Sequence, residues 1–483
     1  MAGDNGKMMG RPTTPVRVWR LAQFQLAPAF ESHPVDSLLI ARWQMAFTLG
    51  SHIILACLGV GLPVLMLAAE WFSLRTNDPL WRALAHRWSK AFAVLFAVGA
   101  VSGTVLSFEL GILWPKFMGT FGSVIGLPFT LEGFAFFLEA IFAGIYLYGW
   151  NKLPPRLHWW TGVPIALSGV ASASFVVTAN AWMNAPRGFT MRDGVVVDVD
   201  PIAAMTGPTA AVQIVHMLLA AYMVTGFLVA AFYACVLWNK PTCLYSRKAM
   251  LLALWMGTLA SFPQGLAGDW AAKTVARTQP IKLAAMEGQF KTETGAPLRI
   301  GGWPDTITRE THYDIEIPYA LSILAYGDPH ATVQGLDDFP RENQPPVVVV
   351  HIAFQIMVGL GTLLMALGGW TILSWWMKWH PADNRWVLLA IMASGPATVL
   401  AMEAGWVVTE VGRQPWIAHN VMRTKDAASH IPGLEWLFLA TLAIYLALFA
   451  GLTIVLRLLA AQPIPTSSNS FSLPAASDQS SLS

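Results

Sequence analysis

"VQIVHMLLAAYMVTGFLVAAFYACVLW", residues 212–238, holds one histidine and no Asp, Glu, Lys or Arg. A helix needs about 20 apolar residues to cross the hydrocarbon core of a bilayer, so the stretch reads as a membrane span with His216 near its start. Eight further stretches read the same way. The nine spans run near 45–71, 91–114, 128–150, 159–184, 209–238, 249–268, 347–376, 387–409 and 434–457. Composition agrees, because the chain of 483 residues is 55% hydrophobic and 12% charged with a mean hydropathy of +0.51. This balance predicts an all-α, polytopic membrane helical bundle rather than a soluble protein. A net charge of +2 gives no electrostatic footprint for nucleic acid. Cys57, Cys235 and Cys243 stand at no metal-site or disulfide spacing. The 22 tryptophans suit two membrane interfaces or the lining of flat cofactors.

Four short basic connections, "RTNDPLWRALAHRWSK", "NKLPPRLH", "NKPTCLYSRK" and "MKWHPADNR", separate alternate pairs of spans. Lys and Arg in short loops mark the cytoplasmic side, which places the amino terminus outside and the carboxyl terminus inside. Lys7, Arg11, Arg17, Arg20 and Arg42 oppose that orientation, and the four agreeing loops outweigh them. Residues 1–37 lack an apolar core of signal-peptide quality and read as an extension outside the fold, or as the product of a misassigned start codon. Residues 38–460 form the membrane domain. Residues 461–483, rich in Ser and Pro, read as a disordered tail. The longest connection, about 269–345, lies outside on this topology and holds "KLAAMEGQFK" of helical composition and turns such as "YGDPHATVQGLDDFP". A loop of that length between membrane helices is more often functional than idle.

Ionisable side chains inside spans are costly and tend to face a bundle interior or a cavity. His52, Glu109, His216, His351, Glu403 and Glu410 all fall toward the outer ends of their spans. Glu132 and Glu139, two turns apart on one helical face, read as outer-half residues of the third span. They could form a proton relay, a cation site or a buried pair with one carboxyl neutral. A lone membrane histidine is as often a packing residue as a ligand, and a lone methionine such as Met357 is usually core filler. The shared depth shifts that balance toward haem iron, whose axial ligands include His and Met. Zinc fits less well, because the histidines come from separate helices and no Cys or HExxH pattern joins them. As the partner of His216, His351 and Met357 compete, since their spacing turns them to different faces.

These motifs resemble subunit I of the bd-type quinol oxidases, over residues of about 38–460. "ARWQMAFTLGSHI" is similar to the family's first helix and implies that His52 ligates a haem at the oxygen-reducing centre. "TLEGFAFFLE" resembles the paired glutamates, which implies haem-contacting and proton-conducting roles for Glu132 and Glu139, and Glu109, near the outer end of the second span, is assigned to the same group. "VQIVHMLLAAYMVTG" and "FQIMVGLG" imply His216 and Met357 as the axial pair of a low-spin haem b, which selects Met357 over His351. "KLAAMEG" implies quinol binding at Lys282 and Glu287. "EAGWVVTEVGRQPW" is the most specific match and implies Glu410 as ligand of a second high-spin haem. Gln355, where many members carry arginine, resembles the cyanide-insensitive branch, and the compact outer loop resembles the short-loop form. That branch leaves either haem d or a further haem b at the oxygen site, and either high-spin haem on His52 or Glu410.

The resemblance implies a quinol:oxygen oxidoreductase of the translocase class in the bacterial cytoplasmic (inner) membrane. It would oxidise ubiquinol at the outer face and reduce dioxygen to water. Protons released outside and taken up from the cytoplasm through Glu132 and Glu139 would separate charge without a pump. Implied cofactors are one low-spin haem b, one high-spin haem b and a haem d or further haem b, with no copper. Implied partners are subunit II, a small single-helix accessory subunit and the lipid bilayer. Arg413 reads either as a counter-ion for haem propionates or as a helix-end cation. Trp406 and Trp416 read as haem-packing aromatics or as interface anchors. A secondary transporter using Glu132, Glu139 and Glu403 is the rival reading, and it predicts inverted repeats that the two halves of the chain do not display.

Overall fold

The computed structural model describes residues 37–429 and 431–463. The expected amino-terminal extension and carboxyl-terminal tail lie outside the described residues, apart from Ser37 and the short segment 461–463. Helices are α1 (Ser37–Thr76), α2 (Pro79–Leu113), α3 (Pro115–Gly149), α4 (Pro155–Asn184), α5 (Pro201–Met205), α6 (Ala210–Asn239) and α7 (Leu244–Thr278). They continue with α8 (Pro280–Glu287), α9 (Ala320–Tyr326), α10 (Val347–Trp376), α11 (Arg385–Val411), α12 (Thr424–Ala427) and α13 (Leu434–Ala461). Among the described residues, nine are long and apolar enough to cross a membrane: α1, α2, α3, α4, α6, α7, α10, α11 and α13. The expected number of spans therefore holds, and the protein is an integral membrane protein.

The helices overrun the expected spans for local reasons. Hydropathy falls at Asp269 and Lys273, yet these form an i,i+4 ion pair at 2.6 Å, an arrangement that supports helix, so α7 continues to Thr278. The loop accordingly begins nearly three turns of helix later than expected, after Thr278 rather than at about 269. Pro128, read as the start of the third span, is buried inside α3, which begins at Pro115. Prolines at the first helical position start α2, α3 and α4, where the missing N–H costs nothing. Asp78 caps α2 by accepting from Leu80 N at 2.8 Å, and Asn384 caps α11 by accepting from Trp386 N at 2.9 Å.

Small residues let the helices approach closely, as membrane bundles require. A Cβ at Gly226 on α6 would collide with the backbone of Gly257 and Ala253 on α7. A Cβ at Gly61 on α1 would overlap Thr225, whose hydroxyl donates to Cys57 O at 2.9 Å. Four short antiparallel pairs decorate the connections: β1 (Thr190–Arg192) with β2 (Val195–Val197), β3 (Glu293–Thr294) with β6 (Thr332–Val333), β4 (Leu298–Asp305) with β5 (Glu310–Ile317), and β7 (Trp416–Ala418) with β8 (Met422–Arg423). Segment 279–346 thus contains α8, as its composition suggested, and a β4–β5 hairpin where only turns were expected. It defines the loop end of the bundle.

Candidate functional site

The loop-end halves of the helices carry most of the candidate residues. On α1, His52 places Nδ1 2.8 Å from Ser102 Oγ of α2. A Cβ at Gly103 would come within 3.1 Å of the His52 ring, so that glycine keeps the ring face open. Two turns along α2 from Ser102, toward the loop end, Glu109 accepts from Gln44 Nε2 at 2.7 Å and from Thr48 Oγ1 at 2.6 Å. Gln44 also donates to Thr441 at 3.3 Å, which ties α1, α2 and α13 together.

Glu132 and Glu139 share a face of α3 as expected, but not the expected depth. Glu139 is buried against Gly169, midway along α4. The early start of α3 explains the difference, because thirteen residues of helix precede Pro128. Neither carboxyl has a hydrogen-bond partner among the described residues. The expected one-sided distribution of charge also has an exception at the opposite end. There Glu70 accepts from Tyr146 Oη at 2.7 Å and lies 2.6 Å from His158 Nδ1, all three buried.

On α6, His216 lies against Gln264 of α7, whose Nε2 is 3.2 Å from His216 Nε2, while Gln264 Oε1 is buried without a partner. Met357 on α10 faces α11, where a Cβ at Gly405 would meet its sulfur at 3.0 Å. His351 is fully buried, with Nδ1 2.8 Å from Met286 O and Nε2 2.9 Å from Gly301 O. Both of its nitrogens are therefore turned to loop carbonyls. Gln355 is likewise engaged by the hairpin backbone, accepting from Gly301 N at 3.0 Å and donating to Arg299 O at 2.9 Å. Trp406 packs on the cluster around Ile53, Val224 and Met402.

The end of α11 is the densest polar site. Glu410 accepts from Asn180 Nδ2 and, at 2.6 Å, from Arg413 Nη2. Arg413 is buried, and its Nε and Nη1 have no partner. A buried guanidinium with two unused donors is costly unless an anion meets it. Asn184 Nδ2 donates to Asn180 O at 3.0 Å, and its Oδ1 accepts from Lys282 Nζ at 2.6 Å. Lys282 also reaches Thr409 O at 3.3 Å. Burial, then the neighbouring Arg413, lower the Lys282 pKa to about 7, against the opposing pull of Glu410. Glu287, at the end of α8, is buried with Oε2 unpartnered. Burial raises its pKa to about 8, although Arg299 acts in the other direction. His419 Nδ1 is also unmatched, and burial followed by Lys282 and Arg413 pushes that ring down to about 4. Sequence reading missed Asn180, Asn184, Gln264 and His419; "TANAWMN", with its two amides one turn apart at the end of a span, was the available signal.

These residues fit haem. Among the described residues no three His, Cys, Asp or Glu side chains converge on one point, whereas haem takes only one or two axial donors from the protein. His52, His216 and Met357 each border a helix face that a glycine keeps clear, and Arg413 offers free donors suited to a propionate.

The chain matches the family described as cytochrome bd terminal oxidase subunit I over residues 40–464. A putative cytochrome bd menaquinol oxidase subunit I of Bacillus subtilis (strain 168) is 37% identical over 428 residues, covering 87% of this chain and 96% of that protein. The cytochrome bd ubiquinol oxidase subunit 1 of the same organism is 31% identical, covering 82% and 86%. The bd oxidase structure from Geobacillus thermodenitrificans superposes with a TM-score of 0.83 at 38% identity, covering 88% of this chain and 98% of that one. On the match over residues 40–464 and these relatives, the chain belongs to the cytochrome bd terminal oxidase subunit I family, whose members serve respiratory oxidases.

Proposed function

We propose that this chain oxidises ubiquinol at the loop end of the bundle and, with a second subunit, supports the four-electron reduction of dioxygen to water. The observation that carries the proposal is the buried Arg413, with two unmatched donors, hydrogen-bonded to Glu410 and one amide relay away from Lys282. His216 and Met357 would hold a low-spin haem b, and His52 and Glu410 the two high-spin haems, one of them haem d or a further haem b. Bound haem supplies one-electron transfer and, where an axial position stays open, dioxygen reduction. The engagement of both His351 nitrogens by carbonyls supports Met357 as the partner of His216.

Lys282 and Glu287 bind quinol in this reading. The ionised Glu287 accepts a hydroxyl proton as electrons leave, and the cationic Lys282 favours the quinolate that results. Glu132 and Glu139 hold protons for the oxygen side, and Glu109, fixed by Gln44 and Thr48, serves the same route nearer the loop end. Gln355 acts on the loop: it holds the β4 backbone over the quinol site. Trp406 packs the apolar wall. The basic connections support a cytoplasmic-membrane orientation with the loop end outside, so that quinol protons are released there and no pump or copper is needed. Residues 1–37 and 461–483 flank the membrane domain, and a small accessory subunit completes the assembly.

Menaquinol is the second reading of the substrate, since the 37% identical relative is named for it. A reduced-minus-oxidised absorption spectrum of the purified oxidase, reduced by each quinol in turn, tests the proposal. Haem bands appearing with quinol support it, and their absence overturns it. A chlorin band decides for haem d over a further haem b.

A further inference from the structure

The β4–β5 hairpin has its polarity reversed for a water-facing element. Antiparallel hairpins at a surface bury the apolar face and solvate the polar one. Here Arg299 pairs across the ladder with Glu316, and Gly301 with Asp314. Most of this polar face turns inward: Arg299 is 11% exposed, 3.2 Å from Asp314, and Gly301 is bound by His351 and Gln355, while Glu316 at the strand end stays 53% exposed. The opposite face pairs Leu298 with Ile317 and Ile300 with Ile315. It leaves Ile300 48%, Ile315 68%, Ile317 42% and Tyr313 96% exposed. Trp303 is exposed as well, although it pairs with His312 in register with the polar face. A patch of this kind on one rigid surface marks a contact site.

The hairpin is not loose. Its turn is pinned by Arg309, which donates to Asp337 at 2.8 Å and to Gln344 at 2.9 Å. Its middle is tethered at His351 and Gln355, and the latter lies about 12 Å along α10 from the start of that membrane helix. One turn further along α10 from Gln355, on the same side of the helix, Val358 is exposed. The apolar face of the hairpin thus stands beside an exposed apolar position of a membrane helix, and its Tyr313 is of a type favoured at the bilayer interface.

We infer that the apolar face of the β4–β5 hairpin is a lipid-contact surface, seated in the bilayer leaflet on the loop side. Thr311 Oγ1 of β5 donates to Gly288 O at 2.8 Å, immediately after Glu287, so the inner face of the hairpin roofs the buried carboxyl. On the functional reading proposed above, a lipid-borne quinol passes beneath this roof to Glu287 without crossing water.

The test uses the complete oxidase in phospholipid nanodiscs. A nitroxide is attached at Ile315→Cys, in a background with Cys235 and Cys243 replaced, and at Arg192→Cys as a reference on a water-exposed hairpin. Power saturation compares relaxation by oxygen, which partitions into lipid, with relaxation by a water-soluble nickel chelate. The inference expects oxygen to dominate at position 315 and the chelate at position 192. Equal chelate access at both positions overturns it in favour of water. Protection from both reagents at 315 overturns it in favour of a covering protein subunit. The measurement needs no turnover, so it stands or falls apart from quinol oxidation, which Glu287→Gln tests separately.

Discussion

The two ends of the bundle treat buried charge differently. At the end away from the loop, Glu70, His158 and Tyr146 close on one another: the carboxylate meets the phenol and the imidazole, and His158 Nε2 lies 2.9 Å from Tyr146 O. At the loop end, Glu287, Glu403 and Arg413 each keep a buried polar atom without a partner, while the unmatched oxygen of Asp314 lies 3.2 Å from Arg299. Unmatched atoms at the other end belong to neutral groups, the Trp150 indole and the Tyr245 phenol. Buried charge is tolerated when its hydrogen bonds are complete. A complete cluster is structure, and an incomplete one awaits a cofactor, a substrate or a proton.

The largest effect expected is at Met357. If Met357 holds the low-spin haem as proposed, Met357→Leu removes its thioether and leaves an apolar side chain of similar volume, so the low-spin haem band should vanish and quinol oxidase activity with it. Redox difference spectra of the purified variant check this. If His351→Ala abolished the band and Met357→Leu spared it, the assignment of ligands at the loop end would be wrong.

Next is Glu287. With a pKa of about 8, the carboxyl is mostly protonated at pH 7, and its proton-accepting form grows as pH rises toward 8. The kcat for quinol oxidation should therefore rise with pH through about 8, where half of the carboxyl is ionised, and level off only about one pH unit beyond that. Glu287→Gln should lower kcat by roughly 10²- to 10⁴-fold, the usual range for a general base, and flatten the limb. A variant that kept the limb would move the base elsewhere.

Glu70→Ala probes the complete end. Removing one partner of a buried pair costs about 3–5 kcal/mol, which would appear as a lower thermal midpoint of the oxidase. Turnover per intact enzyme should not change. A fall in turnover with unchanged stability would break the contrast, because the closed cluster would then be working rather than packing.

The nine spans were legible because hydropathy registers an apolar stretch directly. Their ends were not, since an ion pair such as Asp269–Lys273 extends a helix that hydropathy terminates, and Pro128 sits inside α3 rather than at its start. Ligand-type residues were legible from residue type and motif. Their supports were not: Asn180 and Asn184 are ordinary amides in sequence, and only the packing of α4 against α8 and α11 joins Lys282 to Glu410. Gln355 carried a family comparison, whereas its contacts are with the backbone of β4. The alternation "YDIEI" at 313–317 was a readable strand signal, but which face turned inward required the tether to α10.

Asn184 gives the smallest and most discriminating effect. Its Oδ1 accepts from the Lys282 ammonium, while its backbone carbonyl accepts from Gln279 Nε2 at 2.9 Å. Asn184→Ala removes the first contact and keeps the second, so α8 stays docked, while Lys282 loses one acceptor and Asn180 loses the donor that Asn184 Nδ2 offers to its carbonyl and side-chain oxygens. Thr409 O at 3.3 Å then remains its acceptor, and the loss of one hydrogen bond to the amine amounts to about 1 kcal/mol, or roughly fivefold in KM for quinol. The cationic form is the one that loses stabilisation, so the Lys282 pKa moves further below about 7, and the KM increase should be larger at pH 8 than at pH 6. Spectra of all haems should be unchanged. A shift in a high-spin haem spectrum instead would mean that the Asn184–Asn180 relay positions Glu410, the proposed haem ligand, more than Lys282, the proposed quinol-binding residue, and the two halves of the loop-end site would be one coupled unit.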